Sequence, residues 1–332
     1  MWQQIKIWQF IEGSLHSKLG VVLLYVLESK GSSPGRGGFC MAINDLYDMS
    51  GSIGGGMMEY KLVELAKDLL KNNEPNLKQD LKRQIHSKSA PRHQSGMICS
   101  GEQTVFLYKI QPANDSPVIA QIIQILAQNG NAVLQLSPAG LQCRHYLSID
   151  PTYFRTTNTH FEYQSDKEWH YEEKIGYANK LFIIGGGHCA LALSRLMQQM
   201  DFYMYMYEDR PQLNTFLKNN FVHEKIALLN YAQLADLIPS GENHYVVIMT
   251  FGYRTDDIAL RALLHKKPLK YLGLLGSRSK INQLFDELKK NNPHAETALQ
   301  RISAPAGIAI KSQTPEEIAI SIAAEIIAIK NG

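Results

Sequence analysis

The sequence has no apolar run that approaches the ~18 residues a helix needs to cross a bilayer. Its first six residues, Met1 to Lys6, lack the charged and then apolar layout of a signal peptide. Lysine and arginine form no dense run, and the formal net charge is only +3, so the composition does not indicate a nucleic-acid-binding surface. These absences predict a cytoplasmic protein that binds neither membrane nor nucleic acid.

Cysteine is also scarce. The four cysteines are widely spaced and form no CxxC pair, so neither a structural zinc site nor a disulfide framework is implied. Reduced thiols are the expectation. No catalytic triad is evident in the sequence. The cysteines are Cys40, Cys99, Cys143 and Cys189.

The length of 332 residues exceeds most single hydrophobic cores, which predicts two domains. Residues 1–150 are expected to form an α+β domain, with a β-branched strand near 20–27 and an amphipathic helix over 57–70. Residues 151–177 are polar, aromatic and weakly periodic, and are interpreted as a linker. From 178 to 332, strands and helices alternate with short connections, which predicts a Rossmann-like, doubly wound parallel sheet.

Two glycine-rich loops precede predicted helices, Gly51–Gly56 in the first half and Gly185–Ala190 in the second. Backbone N–H groups at a helix N-terminus bind anions, and glycine lets a ligand come close. Two such loops suggest that a phosphorylated ligand is held or handed over. The pattern Gly185-x-Gly187-x-x-Ala190 follows an apolar strand, as a dinucleotide fingerprint requires. Glu208 lies 23 residues after Gly185, close to the ~20 residues at which a ribose-binding acid is expected.

Several readings of the second loop stay open. It is either a nucleotide site or only a tight turn of a Rossmann core. Arg210, beside Glu208 and Asp209, leaves NAD and NADP equally compatible. His188 either contacts a phosphate or packs within the loop.

The final predicted helix has a clear start and two apolar faces. Thr314 is the N-cap, Pro315 takes the first helical position and Glu317 completes a capping box. Because one sheet surface cannot cover both faces, a second surface is needed, and a homodimer is predicted. One face carries Ile318, Ile322, Ile326 and Ile329, and the other carries Ile320, Ala324 and Ile327.

Longer motifs in both halves make the sequence recognisable. In the first half they are Gly31-Ser32-Ser33-Pro34-Gly35-Arg36-x-Gly38, Gly51–Gly56 followed by Glu59, and Gly96–Gly101; in the second they are Gly185–His188, Glu208–Pro211, Tyr271–Lys280 and Thr314–Glu325. In this order they resemble the XdhC/CoxI family, the xanthine dehydrogenase accessory proteins.

The sequence departs from that family at a few positions. Phe251 follows Thr250 where relatives usually have histidine, which puts any role of that histidine in doubt. Ser100 replaces the first glycine of a Cys-Gly-Gly pattern, and Ala306 and Lys311 replace the usual isoleucine and glycine.

The resemblance implies an accessory chaperone rather than an enzyme. Such proteins bind molybdenum cofactor (molybdopterin), help deliver its sulfurated form and insert it into an apo molybdenum hydroxylase of the xanthine dehydrogenase type. Expected partners are that apo-enzyme, a sulfurtransferase and a second copy of the chain. No residue is assigned a catalytic or resident metal-binding role. The candidate cofactor-binding residues are Ser33, Arg36, Gly54, Gly55, Gly56, Glu59 and Cys99 in the first half, and, for the same cargo or for a nucleotide, Gly185, Gly187, His188, Glu208, Asp209, Arg210, Gly276, Ser277 and Arg278 in the second.

Their chemistry suits that cargo. The Gly51–Gly56 loop offers an anion cradle, and Arg36 can add charge-assisted bonds to an oxyanion. Glu59 either accepts bonds from pterin N–H groups or caps the following helix. Cys99 either touches molybdenum or the transferred sulfur, since thiolates are soft ligands, or is a buried packing residue.

Two other functions remain as alternatives. An NAD(P)-dependent oxidoreductase could be built on the second domain, although no Tyr-x-x-x-Lys pair is present. A nucleotide-sensing regulator, in which NAD(P) or another nucleotide gates cofactor release, is the other. Cofactor titration and a test for nicotinamide turnover discriminate among the three.

Overall fold

The computed structural model describes residues 2–71, 79–85, 101–145, 158–200, 202–264, 266, 268–291 and 295–332. The chain divides into two compact units, Trp2–Gly176 and Tyr177–Gly332. In the described ranges, no helix is both long enough and apolar enough to span a membrane.

In its described residues, the first unit contains three helices and nine strands. The helices are α1 (Trp2–His16), α2 (Gly56–Lys71) and α3 (Pro112–Ala127). The strands are β1 (Val21–Gly31), β2 (Cys40–Asn44), β3 (Met49–Gly51), β4 (Gln79–Ile85), β5 (Gly101–Lys109), β6 (Ala132–Ser137), β7 (Gly140–His145), β8 (Thr159–Ser165) and β9 (Glu168–Ile175).

A five-stranded antiparallel sheet of order β3-β2-β1-β5-β4 is the frame of this unit. Successive strand residues point to opposite faces. Val22 and Leu24 of β1 therefore pack against α2, which buries Met58 and Leu62 on the same side. Tyr25, the next residue after Leu24, points to the other face and meets β9.

The predicted linker over 151–177 is wrong for the residues that the structure describes. Residues 159–165 and 168–175 are strands β8 and β9, which complete a second antiparallel sheet of order β7-β6-β9-β8. The aromatic residues are its packing side chains: Trp169 and Tyr171 are buried, and Trp169 stacks edge-on against Phe106 of the first sheet. The polar pattern belongs to a half-buried antiparallel strand pair.

The second unit is a five-stranded parallel sheet with helices on both faces. Its strands are β10 (Asn179–Ile184), β11 (Phe202–Glu208), β12 (Glu224–Ala227), β13 (Gly241–Ile248) and β14 (Leu269–Leu274). Its helices are α4 (His188–Met197), α5 (Asn214–Leu217), α6 (Leu234–Leu237), α7 (Tyr253–Leu263), α8 (Arg278–Asn291), α9 (Ala295–Leu299) and α10 (Pro315–Asn331).

The strand order is β12-β11-β10-β13-β14, and every pairing is parallel. The predicted Rossmann-like, doubly wound sheet is confirmed. Leu181 and Ile183 of β10 face α4 and α10, whereas Phe182 and Ile184 face α7 and α8. The strand order reverses between β10 and β13, so this unit has its topological switch point at their carboxyl ends.

The final helix starts as predicted, because Thr314 accepts a bond from the Glu317 amide and both halves of the capping box are formed. Its first apolar face is used: Ile322 and Ile326 are fully buried. On the second face Ile320 is 53% exposed, whereas Ala324 and Ile327 are half-buried, so the described residues cover that face only in part.

Candidate functional site

In the first unit, the structure brings two of the glycine-rich motifs together. Ser33, in the loop after β1, donates its hydroxyl to the Gln103 Oε1 atom at 3.0 Å. The same amide side chain donates from Nε2 to the Ile53 carbonyl of the second loop at 2.9 Å. Gln103 is 1% exposed. It therefore acts as a buried bridge between the loops, and the sequence reasoning missed it.

The two loops also touch backbone to backbone. A Cβ atom on Gly54 would lie 2.5 Å from the Gly35 nitrogen, and one on Gly35 would lie 2.2 Å from the Ile53 carbonyl oxygen. Glycine is required at both positions because any side chain would collide with the main chain. The pair of loops, residues 31–38 and 51–56, is called the glycine-loop pair below.

Glu59 completes the glycine-loop pair from the first turn of α2. Its Oε2 atom accepts bonds from the Ile53 amide at 2.9 Å, the Gly55 amide at 3.0 Å and the Ser52 hydroxyl at 2.7 Å. The capping role is thus formed in the structure. The Oε1 atom receives no bond from the described residues, so half of this carboxylate remains an available acceptor.

The remaining residues predicted for the first-unit site are Arg36, Gly56 and Cys99. Arg36 is exposed and donates to the Gly31 carbonyl of its own loop at 3.3 Å. Gly56 is the exposed first residue of α2. Cys99 lies outside the described residues, two positions before Gly101 in the sequence, and its role stays a prediction.

In the second unit, the glycine loop after β10 lies at the switch point. Gly185 has φ +106°, and a Cβ atom there would be 2.4 Å from the Met249 carbonyl oxygen and 2.9 Å from the Thr250 Cα atom. The segments that follow β10 and β13 are therefore in direct contact. Gly187 is the N-cap of α4, and His188 is exposed at its first position.

Glu208 ends β11 next to this loop and is fully buried. Its Oε2 atom accepts the Gly186 amide at 2.5 Å, and its Oε1 atom accepts the Arg210 Nε at 2.7 Å. Burial favours the neutral acid, but the bonds from Arg210 and Gly186 outweigh it and hold the pKa of Glu208 below its usual value. Burial, followed by the hydrogen bond with Glu208 and the Glu208 charge, raises the pKa of neighbouring Asp209.

The starts of α7 and α8, which follow β13 and β14, are joined by a partly buried ion pair. Lys280 Nζ bonds the Asp256 Oδ2 atom at 2.5 Å, and Asp256 Oδ1 accepts the Thr250 hydroxyl at 2.6 Å. The Lys280 stem passes over Gly276, where a Cβ atom would lie 2.4 Å from Cε. Ser277 accepts the Lys280 amide at 3.3 Å. Asp256 was not anticipated, although an acid in the first turn of α7 is a recognisable signal.

The other predicted groups show no activated chemistry. Arg278, at the start of α8, is exposed. Burial and Glu316 raise the pKa of the Cys189 thiol, so its position near a helix start does not activate it. Among the described residues, no group of three or more His, Cys, Asp or Glu side chains is arranged to hold a metal ion.

The chain is similar in sequence to a curated protein and in structure to a solved protein. A curated relative, the Escherichia coli protein YqeB, is 31% identical over 160 residues, which is 47% of this chain but only 28% of YqeB. The crystal structure of a protein named as a xanthine dehydrogenase from Bacillus halodurans matches with a TM-score of 0.70 at 21% identity, covering 98% of this chain and 95% of that one. At that identity the likeness establishes a shared fold.

Two family descriptions match the sequence directly. The XdhC and CoxI family matches residues 14–79, which contain the glycine-loop pair. The XdhC Rossmann domain matches residues 181–326, which contain the switch point. The two matches fall in the order of the motifs in the sequence and together cover more than half of it. The chain belongs to the XdhC and CoxI family.

Proposed function

We propose that this protein is an accessory chaperone of a xanthine-dehydrogenase-type molybdenum hydroxylase. It binds molybdenum cofactor as cargo, promotes its sulfuration by a sulfurtransferase and inserts it into the apo-enzyme. Family membership supports the accessory role, and the related structure from Bacillus halodurans is itself named as a xanthine dehydrogenase.

The observation that carries cofactor binding is the arrangement of Glu59. Three bonds to Oε2 fix the carboxylate in place, while Oε1 points to no partner among the described residues. A fixed carboxylate with one free oxygen matches the N–H donors of a pterin ring. The space beside the loop is open, since a Cβ atom on Gly55 would meet nothing within 4 Å. Because the Ile53 and Gly55 amides already donate to Glu59, exposed Arg36 of the paired loop would supply the charge-assisted bond to the cofactor phosphate.

The experiment exchanges one atom of that carboxylate. Glu59→Gln keeps one oxygen to cap α2 but replaces the other acceptor with an amide donor. The variant should retain the wild-type melting temperature and bind molybdopterin roughly ten- to a hundredfold more weakly, the range for a hydrogen bond to a charged group. Glu64→Gln on the same helix, which removes only a surface pair with Lys67, is the matched control. Equal affinity in both variants would remove Glu59 from the cofactor site.

The role of Cys99 is tested by measuring activation of the apo-enzyme rather than affinity for the cofactor. If its thiolate contacts molybdenum or the transferred sulfur, Cys99→Ser should still bind molybdopterin but deliver less sulfurated, active cofactor to the apo-enzyme. The Cys143→Ser variant is the control, since burial raises the pKa of Cys143 to about 11 and keeps that thiol protonated. Undiminished activation by Cys99→Ser would make Cys99 a packing residue.

A second function is supported by the switch point of the Rossmann unit. Its glycine loop, Gly185–Gly187, lies between the ends of β10 and β11 and beside β13, where doubly wound sheets bind nucleotides. We infer that this unit binds a nucleotide and thereby regulates cofactor release. Calorimetry with NAD⁺, NADP⁺ and ATP, together with a nicotinamide turnover assay, separates a sensor from an oxidoreductase. A sensor binds without turnover.

A further inference from the structure

The carboxylate expected to hold a ribose diol has no acceptor position left. Glu208 Oε1 accepts the Arg210 amide at 3.1 Å and Nε at 2.7 Å. Its Oε2 atom accepts the Gly186 amide at 2.5 Å and the Arg210 Nη2 at 3.2 Å. A carboxylate offers about four lone-pair sites, and here all of them are used. A ribose hydroxyl can donate to Glu208 only if Arg210 moves away.

Arg210 itself presents a donor in place of that acceptor. Nε and Nη2 form one edge of the guanidinium and are bonded to Glu208, and Asp209 Oδ1 lies 3.7 Å from Nε. Nη1, on the opposite side, bonds to none of the described residues. The side chain is 37% exposed. An oxyanion can therefore approach Nη1 without breaking the pair with Glu208, and guanidinium geometry suits a phosphate.

An exposed aromatic ring lies beside this donor. The Phe251 ring centroid is 4.8 Å from Arg210 Cζ, and Phe251 is 80% exposed. Phe251 directly follows Thr250, whose backbone touches the glycine loop at Gly185. Phe251, which lies just past the end of β13, thus presents a flat apolar surface beside the guanidinium. Such surfaces stack on nucleobases.

We propose that Arg210 makes this site selective for a dinucleotide whose adenosine ribose carries a phosphate, and that Phe251 supports its base. Arg210 is the specificity-determining residue because it both covers the diol acceptor and supplies the phosphate donor. The inference depends on the nucleotide site proposed above, so the experiment must distinguish loss of selectivity from absence of binding.

The test is isothermal titration of the full-length protein with NADP⁺ and NAD⁺. The wild type should bind NADP⁺ at least about tenfold more tightly. Arg210→Ala should weaken NADP⁺ binding roughly ten- to a hundredfold, and NAD⁺ binding should stay equal or strengthen, because Glu208 becomes free to accept the diol. Arg261→Ala removes a comparable surface pair with Asp257 on α7 and should change neither affinity. If Arg210→Ala does not fold, Arg210→Gln is used, which keeps a donor to Glu208.

The outcomes separate the two ideas. Equal binding of both dinucleotides by the wild type, or an equal loss of both in Arg210→Ala, overturns the selectivity while keeping the nucleotide site. Binding of neither overturns both. For the ring, Phe251→Ala should weaken both dinucleotides by the same factor of several-fold, and Phe251→Tyr should restore them. Unchanged affinity in Phe251→Ala removes Phe251 from the site.

Discussion

Tyr25 donates its phenol hydroxyl to the buried carboxylate of Glu173 at 2.5 Å, joining the two sheets of the first unit. Tyr171, two residues before Glu173, donates to the same Oε2 atom at 2.9 Å. Burial, followed by the charge of Glu173, raises the pKa of Tyr25 well above its usual value, so the phenol remains a donor at physiological pH.

Removing one donor should therefore destabilise the first unit. Tyr25→Phe is expected to lower the free energy of unfolding by about 1–3 kcal/mol, because it leaves a buried carboxylate with fewer bonds. Urea denaturation measures the change, and Tyr171→Phe provides the second corner of a double-mutant cycle. Since both donors share one oxygen, the two losses should not add. Additive losses, or a loss below about 0.5 kcal/mol, would contradict this account.

The glycine-loop pair is tested at Gly55, which has φ +74° and open space where a side chain would project. Asparagine tolerates this backbone conformation and valine does not. Both substitutions should weaken molybdopterin binding by blocking close approach of the phosphate, but only Gly55→Val should also cost about 1–3 kcal/mol of stability. Wild-type affinity in Gly55→Asn would show that no ligand approaches this glycine.

His223 predicts a pH dependence of stability. Its ring accepts the Met204 amide at Nδ1, stacks on Tyr203 and contacts the Tyr177 hydroxyl. Burial lowers the pKa of His223 from 6.5 to about 4. Between those values the unfolded chain binds a proton that the folded chain does not. The contribution is therefore complete above pH 6.5, and it is lost as the pH falls toward 4, by roughly 3 kcal/mol at most.

The measurement compares the wild type with His223→Gln by urea denaturation at several pH values. Glutamine keeps an acceptor and a donor but does not titrate in this range. The difference in unfolding free energy should change between pH 6.5 and 4 and stay constant above 7. A difference that is independent of pH would mean that His223 titrates normally in the folded state.

The partly exposed face of α10 that carries Ile320 bears on assembly. Ile320 lines a groove of about 410 Å³ with Leu191 and Leu196 of α4. If a second copy covers this surface, light scattering should give twice 37.4 kDa for the wild type and a single chain mass for Ile320→Glu. Leu229→Glu, at a residue that is 94% exposed in the loop after β12, should leave the mass unchanged. A wild-type mass of 37.4 kDa across micromolar concentrations would rule out the dimer.

Much of the second unit follows from local sequence signals. The apolar strands, the short connections and the Thr314 capping box each specify an element through contacts close in the chain, and their alternation dictates a parallel doubly wound sheet. The prediction of a linker over 151–177 fails because residues 159–165 and 168–175, which form strands, have a half-polar pattern. Only the pairing with β6 and the packing of Trp169 on Phe106 make them a sheet.

The site residues divide in the same way. By itself the sequence determined where glycine must stand and that Glu208 ends a strand, since backbone conformation and strand periodicity are local. Tertiary structure alone decided that Gln103 bridges the two loops, that Glu59 keeps one oxygen without a bond from the described residues, and that Arg210 bonds both oxygens of Glu208. Those facts depend on which distant groups compete for the same hydrogen bonds, and the chain order does not encode that competition in any local pattern.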